Sequence, residues 1–212
     1  MLKVDLITVG KLKEDYLRRA CEEYQKRLGA FVKLQIIELP EGKMPQDPSA
    51  AQIESCIFQE GQSILSKIPA QSFVVAMCIE GQMLSSEQLA ETFLRQQTGG
   101  ISQMSFIIGG SWGLDPAVKQ QSHLKLSMSR MTFPHQLARV MLLEQIYRAC
   151  SINNHSKYHK YPQLSTKAKN AQNFYLFLSD ISSPFQNRFG CFLLAIRLVY
   201  DIIKLLCRFF TK

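Results

Sequence analysis

Over residues 1–160, five short runs of apolar and β-branched residues alternate with longer segments of helical periodicity. This alternation constrains the fold more than any other feature, because strands that alternate with crossover helices predict a mainly parallel α/β sheet. The third and fourth runs are apolar on consecutive residues, as expected of strands buried on both faces. The strands are predicted over 3–9, 33–39, 72–79, 103–109 and 123–128, and the helices over 13–28, 49–67, 85–98, 115–121 and 133–152.

Cysteine, histidine and glycine spacing excludes several classes of protein. The chain has 212 residues with six Cys and four His, but no C-x-x-C and no pair with zinc-finger spacing, so we expect free thiols and no metal site. A P-loop and a dinucleotide-binding G-x-G-x-x-G are both missing from the sequence. The N-terminus is typical of a first strand rather than a signal peptide.

Residues after 160 differ in character from the body. A polar linker is predicted over 161–173 and an apolar helical extension over 174–212. Its stretch 189–210 has a narrow charged stripe and a wide apolar face; it either docks on the body or a partner, lies in a membrane interface, or folds poorly. The net charge is +8, of which +5 lies in 161–212 and +3 in 1–160, and this basic surplus favours polyanionic partners.

Three segments are candidates for chemistry. The stretch FIIGGSWGL (106–114) places Gly109 and Gly110 at the end of a buried strand, which is either a tight turn or a place where a ligand approaches the backbone. The stretch 126–133 places small hydroxyl side chains before a helix; they suit a polar ligand, or else Met128 and Met131 fill the core and Thr132 caps the helix. The stretch KYHK (157–160) offers acid–base and phosphate-binding groups, or is a solvated polar terminus.

The last helix of the body, 133–152, is predicted to begin with Pro134 at its first turn. Seven apolar side chains form its predicted buried face, either core or dimer interface: Leu137, Val140, Met141, Leu143, Ile146, Tyr147 and Cys150. Three charged residues, Arg139, Glu144 and Arg148, are predicted to lie off that face and to form salt bridges.

Taken together and in order, these segments resemble the ribosomal RNA large subunit methyltransferase H family, small SPOUT-type enzymes that methylate a pseudouridine at N3. The similarity runs through residues 1–160. It begins at VGKLKEDYLRRACEEYQKRL (9–28), includes EGQMLSSEQLA (80–90), and ends at YHK (158–160).

The resemblance implies an α/β sheet with a C-terminal trefoil knot and a homodimer with the active site built across the two copies. It implies S-adenosylmethionine as cofactor and the assembled ribosome as substrate. We expect the protein in the cytoplasm, or alternatively in an organelle. Tyr158, His159 and Lys160 match residues that reach the target base. The family's cofactor positions match Met77, Gly109, Met128, Ser129, Arg130, Met131, Thr132 and Phe133.

Two departures from the family pattern motivate an alternative. Lys157 stands where a proline is common, and 52 residues follow Lys160, where family chains usually stop. The tail either obstructs the approach of the RNA, packs on the dimer or anchors the protein. The alternative hypothesis is therefore a non-catalytic protein, or one anchored to a membrane or partner, on the same fold, with the tail blocking the active site.

Overall fold

The computed structural model describes residues 1–156, which form an α/β fold as predicted. The predicted linker 161–173, the extension 174–212 and the catalytic candidates Tyr158, His159 and Lys160 lie outside the described residues. The strands are β1 (Lys3–Val9), β2 (Lys33–Leu39), β3 (Phe73–Met83), β4 (Gln103–Ile108) and β5 (Leu124–Ser127). The helices are α1 (Asp15–Leu28), α2 (Ala50–Leu65), α3 (Ser86–Thr98), α4 (Pro116–Gln121) and α5 (His135–Asn153).

All strand pairs in the five-stranded sheet are parallel, in the order β2-β1-β4-β3-β5. β1 is therefore an interior strand, β4 lies at the centre of the sheet, and β2 and β5 form its two edges. Because every strand runs the same way, the loops that follow the strands all emerge at one edge. That carboxyl edge is where open α/β sheets place ligands.

Successive residues of the central strands point to opposite faces of the sheet and pack into two separate cores. Leu6 and Phe106 point into the core formed with α1, α3 and α5, whereas Ile7 and Ile107 point into the core formed with α2 and α4. All four side chains are fully buried. This explains the consecutive apolar residues, because a strand with helices on both faces has no solvent-facing side.

Helix starts are specified by short polar motifs. Ser49 and Ser85 each cap a helix through a capping box with the glutamine three residues on. Asp115 caps α4 by accepting a hydrogen bond from the Ala117 N–H at 2.6 Å, with Pro116 following as predicted. Pro134 is the N-cap of α5 rather than its first helical residue, and α5 has no side-chain cap.

The predicted buried face of α5 was wrong in one important respect. Arg139 is 1% exposed and lies among the core residues, whereas Leu137 is 39% exposed. Glu144 and Arg148 do form the expected ion pair, one turn apart. No helix of residues 1–156 has the length and apolar character to cross a bilayer.

Candidate functional site

A cavity of about 850 Å³ opens at the carboxyl edge of the sheet, where β4 and β5 end. Three chain segments form its walls: the middle of β3 over 77–80, the β4–α4 turn over 108–114, and the end of β5 with the β5–α5 loop over 126–135. The walls are mostly apolar, and their polar groups come largely from backbone and small side chains. This is the usual composition of a pocket for a small organic ligand.

Most of the residues that the resemblance marked for the cofactor come together here, although they are far apart in sequence. Arg130 is the exception, because its side chain is exposed and does not line the cavity. The others all line it: Met77, Gly109, Met128, Ser129, Met131, Thr132 and Phe133.

The β4–α4 turn needs glycine for geometric reasons. Gly110 and Gly113 form an antiparallel bridge, with the Gly113 N–H donating to the Gly110 carbonyl at 3.2 Å. Gly113 has a φ of +97°, and a Cβ on Gly109 would stand 2.5 Å from the Gly113 carbonyl oxygen. The turn and ligand interpretations are therefore compatible, because the tight turn is itself a cavity wall.

Two serine hydroxyls fix the shape of the β5–α5 loop through hydrogen bonds to its backbone. Ser127 Oγ donates to the Ser129 carbonyl at 2.9 Å, and the Met131 N–H donates to Ser129 Oγ at 3.0 Å. Met131 is 68% exposed, so it does not fill the core, and Thr132 does not cap α5. The predictions that Met131 fills the core and that Thr132 caps the helix are therefore wrong.

An ion pair flanks the mouth of the cavity. Lys119 donates to Glu80 Oε1 at 2.6 Å and holds the pKa of that carboxyl below its usual range. Next to it, burial raises the pKa of the Cys78 thiol, and the Glu80 charge adds to the effect. Burial and the Glu80 charge thus disfavour the thiolate form of Cys78.

The inner corner of the cavity joins α5 to the ends of β1 and β2. Burial lowers the pKa of His135, a wall residue, against the opposing charge of Glu41. Glu41 accepts a hydrogen bond from Ser111 Oγ at 2.9 Å. Arg139 donates to Glu38 Oε1 at 2.5 Å and to the Gly10 carbonyl at 2.9 Å.

This corner was missed by sequence reasoning. The sequence predicts Arg139 off the buried face and in a salt bridge; only the salt bridge, with Glu38, is confirmed. Glu38, Glu41 and His135 are not singled out by the sequence. A usable signal existed, since polar residues follow β1 and β2 at the edge where ligands bind. Within residues 1–156, no group of three or more His, Cys, Asp or Glu side chains is arranged to hold a metal ion.

Comparisons with known proteins identify the family. Residues 2–159 match the family described as "Predicted SPOUT methyltransferase". A relative from Bifidobacterium animalis subsp. lactis (strain AD011), "Ribosomal RNA large subunit methyltransferase H", is 49% identical over 159 residues, which cover 75% of this chain and all of that protein. A solved structure, a probable methylase family protein from Haemophilus influenzae Rd KW20, aligns with 95% of this chain and 89% of its own at 13% identity and a TM-score of 0.44. The extent of the two sequence matches decides the assignment: the chain belongs to the SPOUT methyltransferase family.

Proposed function

We propose that the protein transfers a methyl group from S-adenosylmethionine to N3 of a pseudouridine in the large-subunit ribosomal RNA of assembled ribosomes. The observation that carries this proposal is the 49% identity to a ribosomal RNA large subunit methyltransferase H across that relative's whole length. Ribosomes as substrate place the reaction in the cytoplasm, or in an organelle with its own ribosomes.

The cavity fits the proposed cofactor in size and chemistry. Apolar side chains at its walls, including Met77, Leu126 and Phe133, suit an adenine ring. The glycine turn lets a ligand reach backbone groups at the end of β4. The exposed side chain of Arg130 leaves this residue a role through its backbone, between Ser129 and Met131.

S-adenosylmethionine supplies an electrophilic methyl group on a sulfonium, so the reaction requires neither a metal nor a covalent intermediate. The remaining work of the protein is to place N3 in line with that methyl group and to assist loss of the N3 proton. We assign this assistance to His159 or Tyr158, and contact with an RNA phosphate to Lys160, on the basis of the family resemblance.

A homodimer is part of the proposal. Three large apolar side chains at the cavity are well exposed in the single chain: Ile79 at 54%, Trp112 at 43% and Met131 at 68%. Apolar groups gathered around a ligand site favour coverage by a second surface, here a second copy of the chain. Light scattering on the purified full chain measures this directly, with twice the monomer mass expected.

The full chain and a chain ending at Lys160 would be incubated with radiolabelled S-adenosylmethionine and ribosomes that lack the modification. Equal labelling of large-subunit RNA is the expected result, with the label lost when the target uridine is not isomerised to pseudouridine. Labelling by the shorter chain alone would assign an inhibitory role to the tail. Labelling by neither chain, with cofactor binding intact, would refute the proposal and favour a non-catalytic protein.

Binding of the cofactor can be tested apart from catalysis with Gly109→Ala. The added Cβ forces the Gly113 carbonyl to move, so the turn loses its shape and affinity for S-adenosylmethionine is expected to fall at least tenfold by calorimetry. Gly29→Ala is the matched control, because Gly29 has helical φ and ψ at the exposed end of α1. Equal affinity in the two variants would place the cofactor elsewhere.

A further inference from the structure

The β1–α1 loop is fixed in place beside the cavity by contacts at both of its ends. At its start, the Gly10 carbonyl accepts a hydrogen bond from buried Arg139 at 2.9 Å. At its end, the Lys13 N–H donates to Gln136 Oε1 at 2.9 Å, and the Lys13 carbonyl accepts from Arg18 at 3.1 Å. Gln136 follows the wall residue His135 in the first turn of α5, so the loop is tied directly to the cavity.

Two lysines project from this fixed loop. Leu12 is 8% exposed and packs in the core, whereas Lys11 and Lys13 on either side of it are exposed. Neither lysine forms an ion pair with any residue of 1–156. Glu14 follows at the N-cap of α1, where its side chain makes no capping hydrogen bond.

The loop lies against the cavity wall, since a Cβ on Gly10 would stand 3.6 Å from Nε2 of the wall residue His135. Burial lowers the pKa of His135, and the charges of Arg139 and Lys13 lower it further. The hydrogen bond from the Lys13 N–H to Gln136, the residue after His135, places the Lys13 backbone next to this wall. A ligand that fills the cavity and continues past His135 would meet the loop next.

We propose that the loop Gly10–Glu14 is a preformed phosphate-binding element for the RNA substrate, with Lys11 and Lys13 each contacting a backbone phosphate and Arg139 acting as a positioning residue. The proposal rests on the proposed function, because it takes RNA as the substrate. Lysine suits this task, since it neutralises phosphates as a point charge and reads no base sequence. A backbone that is already ordered avoids the entropy of fixing the loop on binding.

The experiment measures affinity of the full chain for unmodified ribosomes over a series of salt concentrations. In Lys11→Gln/Lys13→Gln, loss of two phosphate contacts is expected to reduce the slope of log K against log salt by about 1.5, at about 0.7–0.9 per contact. The matched control is Lys3→Gln/Lys33→Gln. These two exposed lysines pair in register at the amino edge of the sheet, away from the cavity, and the slope is expected to stay unchanged.

Further measurements distinguish failure of the phosphate-binding loop from failure of the proposed function. Cofactor affinity of the Lys11/Lys13 variant is expected to equal that of the wild type, and Glu14→Gln is expected to tighten ribosome binding by removing a repelling charge. An unchanged slope in a protein that methylates ribosomes, or an equal loss in the control, would overturn the phosphate-binding loop alone. A wild-type protein that binds ribosomes without methylating them would instead overturn the proposed function.

Discussion

Buried Arg139 holds α5 against the ends of β1 and β2, and we predict that Arg139→Met destabilises the protein by about 2–4 kcal/mol. Breaking a buried ion pair costs about 3–5 kcal/mol when the partner charge stays buried. Glu38 is 35% exposed, so water solvates much of its charge and roughly 1–2 kcal/mol of that cost remains. Loss of the donor to the Gly10 carbonyl adds about 1–3 kcal/mol.

One compensation reduces the total. Arg139 Nε has no hydrogen-bond partner among the described residues, and methionine removes that buried polar atom while keeping much of the side-chain volume. Urea unfolding followed by circular dichroism measures the change in free energy. The midpoint of thermal unfolding is expected to fall by about 4–16 °C, at about 2–4 °C per kcal/mol for a chain of this size.

A double-mutant cycle isolates the ion pair from the rest of the side chain. Glu38→Gln alone is expected to cost about 2–4 kcal/mol, because it leaves the fully buried Arg139 guanidinium without a counter-charge, although the glutamine carbonyl keeps one hydrogen-bond acceptor. The double variant Glu38→Gln/Arg139→Met should be less destabilised than the sum of the single variants, since no unpaired charge remains. A loss below 1 kcal/mol for Arg139→Met, or strict additivity in the cycle, would refute the view that this pair anchors α5.

Three further predictions follow from packing and ionisation. Gly61→Ala should destabilise strongly while Gly29→Ala does not, as measured by urea unfolding, because a Cβ on Gly61 would stand 2.7 Å from Asp115 Cγ. Burial lowers the pKa of His135 below 6.5, so the unfolded chain takes up this proton first as the pH falls. Its contribution to stability is complete above pH 6.5 and lost at lower pH, and His135→Gln should flatten the decline of unfolding free energy there. Burial raises the pKa of Cys150 to about 12, so alkylation monitored by mass spectrometry should modify it only after unfolding, and labelling of the native protein would contradict this.

The elements of the fold were predictable because burial on both faces of the sheet imposes long apolar runs. The exception is the second half of β3, which continues to Met83 although 80–83 are polar or exposed. Met77 and Gln82 both pair with Leu126, so the residues between them bulge out of the ladder. That irregularity depends on the partner strand and on the close approach of Gly81 to the Leu126 backbone, and neither is visible in local sequence.

The cavity was predictable in part for a different reason. Glycines and hydroxyls placed directly after buried strands indicated a ligand edge, but residues from β3, β4 and β5 could be assigned to one site only through the family resemblance. The trefoil knot likewise follows from family membership. Threading of the chain is set neither by hydrophobic periodicity nor by strand order, and knots are rare enough that no general rule predicts one.

Arg139 shows why the inner corner of the site was missed. The buried residues of α5 recur at helical spacing, and Arg139 lies three and four residues before Leu142 and Leu143, in register with them. Helical periodicity alone predicts that Arg139 is buried. Its charge is what led to the prediction that it lies off the buried face. A charge on a core stripe is tolerated only where partners from other elements meet it, here Glu38 and the Gly10 carbonyl. Such a violation of the pattern marks a place where distant strands converge, and in a parallel α/β sheet that place is the ligand-binding edge.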